Sequence, residues 1–299
     1  MKSPVLLDVV RYGAVGMCTL PRLEDMAAST VMQAMRQVQR MPRTYLCEHG
    51  YGDFMRILAE AARRWGGEVR TGARVGEILV EAGRVAGVVA RLGADGGARS
   101  ELFSAPLVVT AFPIWELPAI VSTNVLPPEF AEQLTHLNRT TAVFGITAAL
   151  REPAYTEKYF LLTDARRAGY PLAGYMASNV APSVSPAGEH LLELSCICDF
   201  GLGSDRERLR EKVACMKEDE EEMYPGWESS AIWVKPYFHW VESARTPGRE
   251  GVYRPGPAAD FADGLYFTGD TVSSRALPGL ETAADSAMIC AREILGDLP

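Results

Sequence analysis

GLYFTGDTVSSRALPGLETAADSAMICAREIL, residues 264–295, predicts a strand, an acidic turn and a helix in close succession. Residues 264–268 are mostly apolar or β-branched, which is typical of a buried strand, and Gly269-Asp270 ends it. From Leu280 to Leu295, apolar and small residues recur at the spacing of one helix face. This stripe, which we expect to lie close against a neighbouring backbone, comprises Leu280, Ala284, Ala287, Met288, Ala291, Ile294 and Leu295.

The start of this helix is a candidate ligand site. A helix N-terminus presents unpaired N–H groups and about half a positive charge, which favour an anionic or electron-rich ligand group. Asp270, at the strand end, can accept hydrogen bonds from ligand hydroxyls. From the residues alone, a purely structural role remains open, with an aspartate shaping a turn and an alanine-rich helix filling a groove. The candidate residues at the helix start are Gly279, Leu280, Glu281 and Thr282.

The spacing Gly264-x4-Gly269 is superficially that of a phosphate-binding loop. Asp270, however, stands where such a loop carries its phosphate-binding lysine, and its carboxylate would repel a triphosphate. We therefore exclude a nucleoside triphosphatase.

A second patterned unit lies upstream. The turn Gly50-Tyr51-Gly52 precedes an amphipathic helix predicted over Asp53–Trp65, which Gly66-Gly67 ends. Residues 68–91 predict three short strands, and the apolar run Leu107-Val108-Val109 predicts a strand buried on both faces.

The middle of the chain alternates strands with one charged helix. Strands are predicted at 142–150, 159–163, 172–178, 191–198 and 233–240, and a helix at 205–222. We expect the acidic block at 218–222 to be a solvated face of that helix rather than a metal site.

Composition excludes several classes of protein. The 299 residues include 30 Lys and Arg against 38 Asp and Glu, so the net charge of −8 disfavours nucleic acid as a partner. No pair of cysteines has C-x-x-C spacing, and the four histidines form no ligand set, so we predict no bound metal. Asp8 and Arg11 interrupt the apolar N-terminus, so we predict no membrane span and a cytoplasmic protein.

GLYFTGD followed by LPGLETAADSAMICAREIL resembles the C-terminal flavin-binding signature of the FAD-dependent amine oxidase and phytoene desaturase superfamily. The segment GYGDFMRILAEAARRWGGEVRTGARVGEILVEAGRVAGVVA is similar to the family's glycine turn, helix, strand and hairpin, and APLVVTAFP is similar to its next strand. These matches come in family order and cover roughly positions 45–115 and 245–297.

The resemblance implies FAD as cofactor. It places the Gly269-Asp270 turn at the ribityl or pyrophosphate part of FAD, and Gly279, Leu280, Glu281 and Thr282 against the pyrimidine edge of the flavin. Val75 matches a position whose backbone meets the adenine, with ordinary strand packing as the alternative. Thr110 and Ala111 match the strand end beside the nucleotide. No catalytic side chain is assigned, because in this family the flavin carries the hydride chemistry.

One family feature is absent from the sequence. The family's FAD domain opens with a βαβ unit bearing G-x-G-x-x-G, and neither Gly50-Tyr51-Gly52 nor Gly201-Leu202-Gly203 has the third glycine. We therefore expect a mixed α/β (α+β) chain with a partial, Rossmann-like FAD-binding domain and a substrate domain, in which a missing N-terminal half or another chain supplies the rest. The expected segments are 1–45, a helical part of the substrate domain; 46–115, part of the FAD domain; 116–244, the substrate domain; and 245–299, the C-terminal FAD segment.

Three functions remain in competition. The leading one is an FAD-dependent oxidoreductase that oxidises or saturates a C–C or C–N bond of a largely apolar small molecule, acting as a homo-oligomer or with a chain that carries the Rossmann unit. The alternatives are a cofactor-free binding or scaffold protein derived from such an enzyme, and a truncated reading frame without a settled function.

Overall fold

The computed structural model describes residues 4–18, 20–23, 26, 28–40, 46–93, 99–137, 141–241, 254–272 and 279–297. The loop predicted before Gly279 lies largely outside these residues. The chain divides into two units. Unit 1 comprises Met1–Glu68 and Thr140–Pro247, and unit 2 comprises Val69–Arg139 and Gly248–Pro299. The predicted mixture of α and β structure is confirmed.

Unit 1 contains a five-stranded antiparallel sheet in the order β6-β7-β8-β5-β9. Alternation of apolar and smaller or polar side chains gives this sheet two different faces. One face is the core of the unit, where Phe144, Ile146, Leu192 and Leu194 are at most 1% exposed. The strands are β5 (Thr141–Leu150), β6 (Leu161–Ala165), β7 (Tyr170–Met176), β8 (His190–Cys198) and β9 (Ala231–Val241).

The helices of unit 1 are α1 (Pro4–Cys18), α2 (Ala28–Arg40), α3 (Tyr51–Arg64), α5 (Ala177–Val180), α6 (Arg206–Met223) and α7 (Trp227–Ser230). Asp205 caps α6 by accepting a hydrogen bond from the Arg208 N–H at 3.0 Å. The stripe of Leu209, Val213 and Met216 packs α6 against the core, as its spacing predicts.

The acidic block near the end of α6 is only partly solvated. Asp219 is 6% exposed and Glu220 is 0% exposed, so the expectation of a solvated face is wrong for these two residues. A run of five acidic residues is longer than one turn of helix, so some of its members must face inward when the opposite face of the helix is packed.

Unit 2 contains two small sheets. The strands β1 (Ala73–Glu81), β2 (Arg84–Leu92) and β3 (Arg99–Ser104) form an antiparallel meander, so 68–91 holds two strands rather than three. The strands β4 (Val108–Thr110) and β10 (Leu265–Phe267) pair in parallel. The helices α4 (Pro128–Leu137) and α8 (Leu280–Asp297) complete the unit. Ile114, Leu117, Leu134 and Phe267 lie at its core.

No helix in the described part of the chain is both long and apolar enough to cross a bilayer.

Candidate functional site

The carboxyl ends of β4 and β10 lie side by side in unit 2. Phe267 is in register with Thr110, and the Thr268 N–H donates to the Thr110 carbonyl at 2.8 Å. The Thr110 hydroxyl donates to the Tyr266 carbonyl at 3.4 Å, which turns this side chain inward. Ligands of parallel α/β sheets bind outside such carboxyl ends.

Ser286 fastens α8 to the turn that follows β10. The Gly269 N–H donates to Ser286 Oγ at 2.9 Å, and the Gly269 and Ala283 carbonyls accept from that hydroxyl at 2.9 and 3.0 Å. The backbone of Gly269 has φ 114°, and a Cβ there would lie 3.6 Å from the Ala111 carbonyl oxygen. Gly269, Ala111 and the first turns of α8 are therefore held together.

The first turn of α8 has one buried side and one open side. Gly279 has φ 106°, and its carbonyl accepts from the Ala283 N–H at 3.0 Å. Among the described residues, no atom lies within 4 Å of where its Cβ would be. Thr282 is fully buried, whereas Leu280 is 52% exposed and Glu281 is also exposed. Within the described part of the chain, the backbone at Gly279 is uncovered, and a helix N-terminus is suited to an anionic ligand group.

Asp270 follows Gly269 at the strand end and is half-buried. Its backbone carbonyl accepts a hydrogen bond from Arg254 Nη1 at 2.6 Å. Val75 lies in a different sheet, on β1, where it pairs with Ala90 and is 40% exposed. The structure therefore groups Thr110, Ala111 and the Gly269-Asp270 turn with the start of α8 and places Val75 in the neighbouring meander.

This arrangement fits the pyrophosphate, ribityl and flavin parts of FAD. Gly269 and Gly279 have positive φ, and neither carries a side chain that would cover the backbone. The Asp270 carboxylate follows a parallel strand, and the N-terminus of the 18-residue helix α8 supplies partial positive charge.

The apolar stripe of α8 faces solvent, contrary to the expected close packing. Met288 is 54% exposed and Leu295 is 70% exposed. The packed side consists of the small residues Thr282, Ser286 and Cys290, at most 2% exposed. The periodicity identified the helix correctly, but it could not show that the smaller residues form the contact within unit 2.

The neighbouring strand β4 is also less covered than expected. Leu107 is 37% exposed and Val109 is 46% exposed, so the prediction of burial on both faces is wrong. Both faces of a parallel sheet are usually covered, but among the described residues β4 pairs only with β10.

In unit 1, the face of the sheet opposite the core carries a polar cluster. Across adjacent strands, Glu193 on β8 pairs with Thr147 on β5 and with Tyr175 on β7. The Thr147 hydroxyl donates to Glu193 Oε1 at 3.2 Å. On β9, the ring of Tyr237 covers Gly145, and its hydroxyl donates to the Leu194 carbonyl at 3.2 Å.

Partial burial changes the acidity of this cluster. Desolvation raises the pKa of Glu193, and the hydrogen bond from Thr147 lowers it in part. The pKa values of Tyr175 and Tyr237 are also raised, mainly by burial and then by the charge of Glu193. The cluster therefore presents the carboxyl group of Glu193 and the phenolic hydroxyls of Tyr175 and Tyr237 in a partly desolvated environment.

Sequence reasoning did not single out Glu193, Thr147 or Tyr175. The available signal was the period-two placement of Glu193 and Ser195 within the apolar strand β8, which marks a second face of different character. It likewise missed Ser286, because one serine in an alanine-rich helix gives no pattern.

Comparisons with known proteins support these observations. Residues 15–295 match the family described as flavin containing amine oxidoreductase. A search among curated proteins by sequence gave no match. In structure, the chain resembles an oxidoreductase from Methanosarcina mazei, with a TM-score of 0.78 at 20% identity over 99% of this chain and 66% of that one. It also resembles a Pyrococcus furiosus protein, with a TM-score of 0.67 at 14% identity over 100% of this chain and 66% of that one. At these identities the likeness establishes the fold, and the chain spans slightly less than two thirds of either structure.

Proposed function

This chain belongs to the flavin containing amine oxidoreductase family, and we propose that it forms part of an FAD-dependent oxidoreductase. The reaction is the oxidation or saturation of a C–C or C–N bond in a largely apolar small molecule. The observation that carries this proposal is the grouping of the β4 and β10 carboxyl ends with the accessible start of α8.

In this proposal each grouped residue has a separate task. The Asp270 carboxylate accepts hydrogen bonds from the ribityl or pyrophosphate part of FAD. The N–H groups at the start of α8, around Gly279 and Leu280, stabilise negative charge on the pyrimidine edge of the flavin. Thr110 and Ala111 border the nucleotide, and Val75 borders the adenine. Bound flavin would accept a hydride from the substrate in an oxidation, or donate one from its reduced form in a saturation.

A second polypeptide or segment completes the FAD site in this proposal. The sequence contains no G-x-G-x-x-G, and the related structures are about half as long again as this chain. The exposed apolar side chains of α8 and β4 are the surface expected where covering strands and helices are absent. We propose that a dinucleotide-binding unit packs there, beside β4 and over the apolar stripe of α8.

Within unit 1, we propose that Glu193 and Tyr237 can fix one hydrogen-bonding group of an otherwise apolar molecule, because a partly buried carboxyl group is well suited to orienting such a group.

The direct test measures FAD affinity with and without the missing unit. We expect the purified chain alone to carry no stoichiometric flavin, because the pyrophosphate lacks its glycine-rich turn. Adding a separately produced family fragment that carries G-x-G-x-x-G should restore saturable FAD binding, measured by flavin fluorescence titration.

Two other outcomes would count against the proposal in different ways. A yellow preparation with one equivalent of flavin from the chain alone would show that no second unit is needed. A stable complex with the fragment that binds no FAD would favour the cofactor-free binding protein.

Replacing Asp270 tests the assignment of a single residue in the reconstituted complex. Asp270→Ala should weaken FAD binding by about 1–3 kcal/mol, the cost of losing a charged hydrogen-bond partner. Asp263→Ala is the matched control, because Asp263 is exposed in the same unit. Unchanged FAD affinity, or a large loss of thermal stability instead, would favour a structural role for Asp270.

A further inference from the structure

Glu220 in α6 is a carboxyl group enclosed in the core of unit 1. It is 0% exposed, and neither of its carboxylate oxygens has a hydrogen-bond partner within the described ranges. The adjacent Asp219 is also buried, but it accepts from the Arg167 N–H, from Arg167 Nη1 and from the Ala168 N–H. Asp219 is therefore paired with a cation and with backbone N–H groups, whereas Glu220, next to it in the same helix, has no such partner among the described residues.

Aromatic side chains of the same core lie near Glu220, since its charge acts on both Tyr155 and Tyr224. Tyr155, from the segment before β6, stacks on Tyr159 at 4.5 Å between ring centroids and lies 4.9 Å from the ring of Tyr224. Trp227, which begins α7, is 2% exposed, and its Nε1–H also lacks a partner in the part of the chain that the structure describes. The core therefore holds an unsatisfied acceptor and an unsatisfied donor.

Titratable groups on the neighbouring elements do not counteract the effect of burial on the pKa of Glu220. Tyr155 and Tyr224 sense the charge of Glu220, and burial raises the pKa of Tyr155 to about 12, so both phenols are neutral near pH 7. The charge of Glu157, which is exposed, raises the pKa of Tyr155. Arg167 donates to Asp219. Burial alone raises the pKa of Glu220, to about 7.

An ionised carboxylate without a partner is strongly disfavoured in such a core, whereas a neutral carboxylic acid is tolerated. An acid with a raised pKa in the folded state binds more protons when folded than when unfolded. Its effect on stability is therefore most favourable below its ordinary pKa, and stability falls as pH rises towards the folded-state value.

We propose that the protonation state of Glu220 controls the packing of α6. The helix packs against the five-stranded sheet while this side chain is a neutral carboxylic acid, and loss of its proton loosens the helix. This pH dependence belongs to unit 1 and is independent of FAD.

Amide hydrogen exchange of the full chain, read on peptides from α6 and corrected for intrinsic exchange rates, tests this proposal. Between about pH 5 and about pH 8, protection of α6 should fall on the order of 50-fold through Glu220 alone. Glu220→Gln keeps the shape but cannot ionise, so this part of the pH dependence should disappear. Glu211→Gln, at an exposed position of the same helix, should behave as wild type.

Parallel pH profiles in wild type and Glu220→Gln would overturn the proposal. If the Gln variant does not fold, Glu220→Met supplies a second non-ionisable side chain of similar size. Infrared difference spectroscopy between wild type and Glu220→Gln gives an independent readout, since wild type should show an additional protonated carboxylic acid near pH 6 that disappears as pH rises. Absence of that band would also overturn the proposal.

Discussion

Ser286 shows how one small side chain sets the position of a helix. Ser286 is 1% exposed, and its hydroxyl contacts both the N–H and the carbonyl of Gly269, so the start of α8 is held directly beside the strand end. A serine within a helix ordinarily contributes little to stability. Here it couples two elements that the candidate FAD site requires together.

Removing this hydroxyl should destabilise unit 2. Ser286→Ala leaves the partly buried Gly269 N–H without its acceptor, which costs about 1–3 kcal/mol. Urea denaturation followed by circular dichroism measures the loss, and Ser100→Ala, at an exposed position of β3, should leave the midpoint unchanged. Equal midpoints for both variants would contradict this role of Ser286.

Thr147 and Glu193 provide a prediction about pH. The Thr147 hydrogen bond lowers the raised pKa of Glu193, so Thr147→Val should raise that pKa further, as followed by carbon-13 NMR of the carboxyl group. Because the folded-state pKa would then be higher, Thr147→Val should destabilise more at about pH 8 than at about pH 4. Thr156→Val, at an exposed position of the same unit, should not shift the Glu193 titration.

At the scale of elements, the pairing of β5 with both β8 and β9 depends on a glycine. A Cβ at Gly145 would lie 2.1 Å from the Leu194 carbonyl oxygen and 2.6 Å from Cζ of Tyr237. The strand partners and the Tyr237 ring therefore occupy the space where any other residue would place a side chain.

Gly145→Ala should force these strands and the Tyr237 ring apart. We expect a loss of about 1–3 kcal/mol in the free energy of unfolding, typical of overpacking in a close-packed core. Gly201→Ala is the matched control in the same unit, because no atom lies within 4 Å of its Cβ position. Thermal unfolding of both variants makes the comparison, and a stable Gly145→Ala protein would show that the sheet can relax.

Periodicity was sufficient to predict most elements and insufficient to predict their neighbours. The strands β5 and β8 and the helix α6 lie within a few residues of their predicted positions, because each repeats its apolar residues at one clear period. The exposed stripe of α8 and the buried Glu220 were not predicted, since a period shows that a face exists but not what covers it. In the candidate site, the strand, turn and helix pattern singled out Asp270 and the family resemblance gave its expected role, whereas Ser286 and Glu193 act through tertiary contacts that have no local pattern.

At the scale of the whole molecule, exposed apolar side chains occur in both units. In unit 1, α3 has no buried residue and is followed by Trp65, which is 92% exposed. In unit 2, the stripe of α8 is exposed, as described above. Covering such area is favourable at about 25 cal/mol per Å², so a few hundred Å² are significant against a typical total stability of about 5–15 kcal/mol.

The isolated chain should therefore self-associate, and polar residues on α8 should reduce this association. Met288→Gln combined with Leu295→Gln changes two side chains that are more than half exposed. Light scattering over a range of concentrations should show smaller species for the double variant, with little change in thermal stability. A monodisperse wild-type monomer at every concentration would contradict this expectation.

The pairing of Val108 with Leu265 also fixes an order of events during synthesis. All five strands of the unit 1 sheet lie between these two partners in the chain, so the ribosome produces that sheet before β10 exists. Closing so long a loop costs less entropy once the intervening chain is compact. The strand β4 therefore remains without this partner until β10 has been synthesised, and its exposed apolar side chains favour aggregation during that interval.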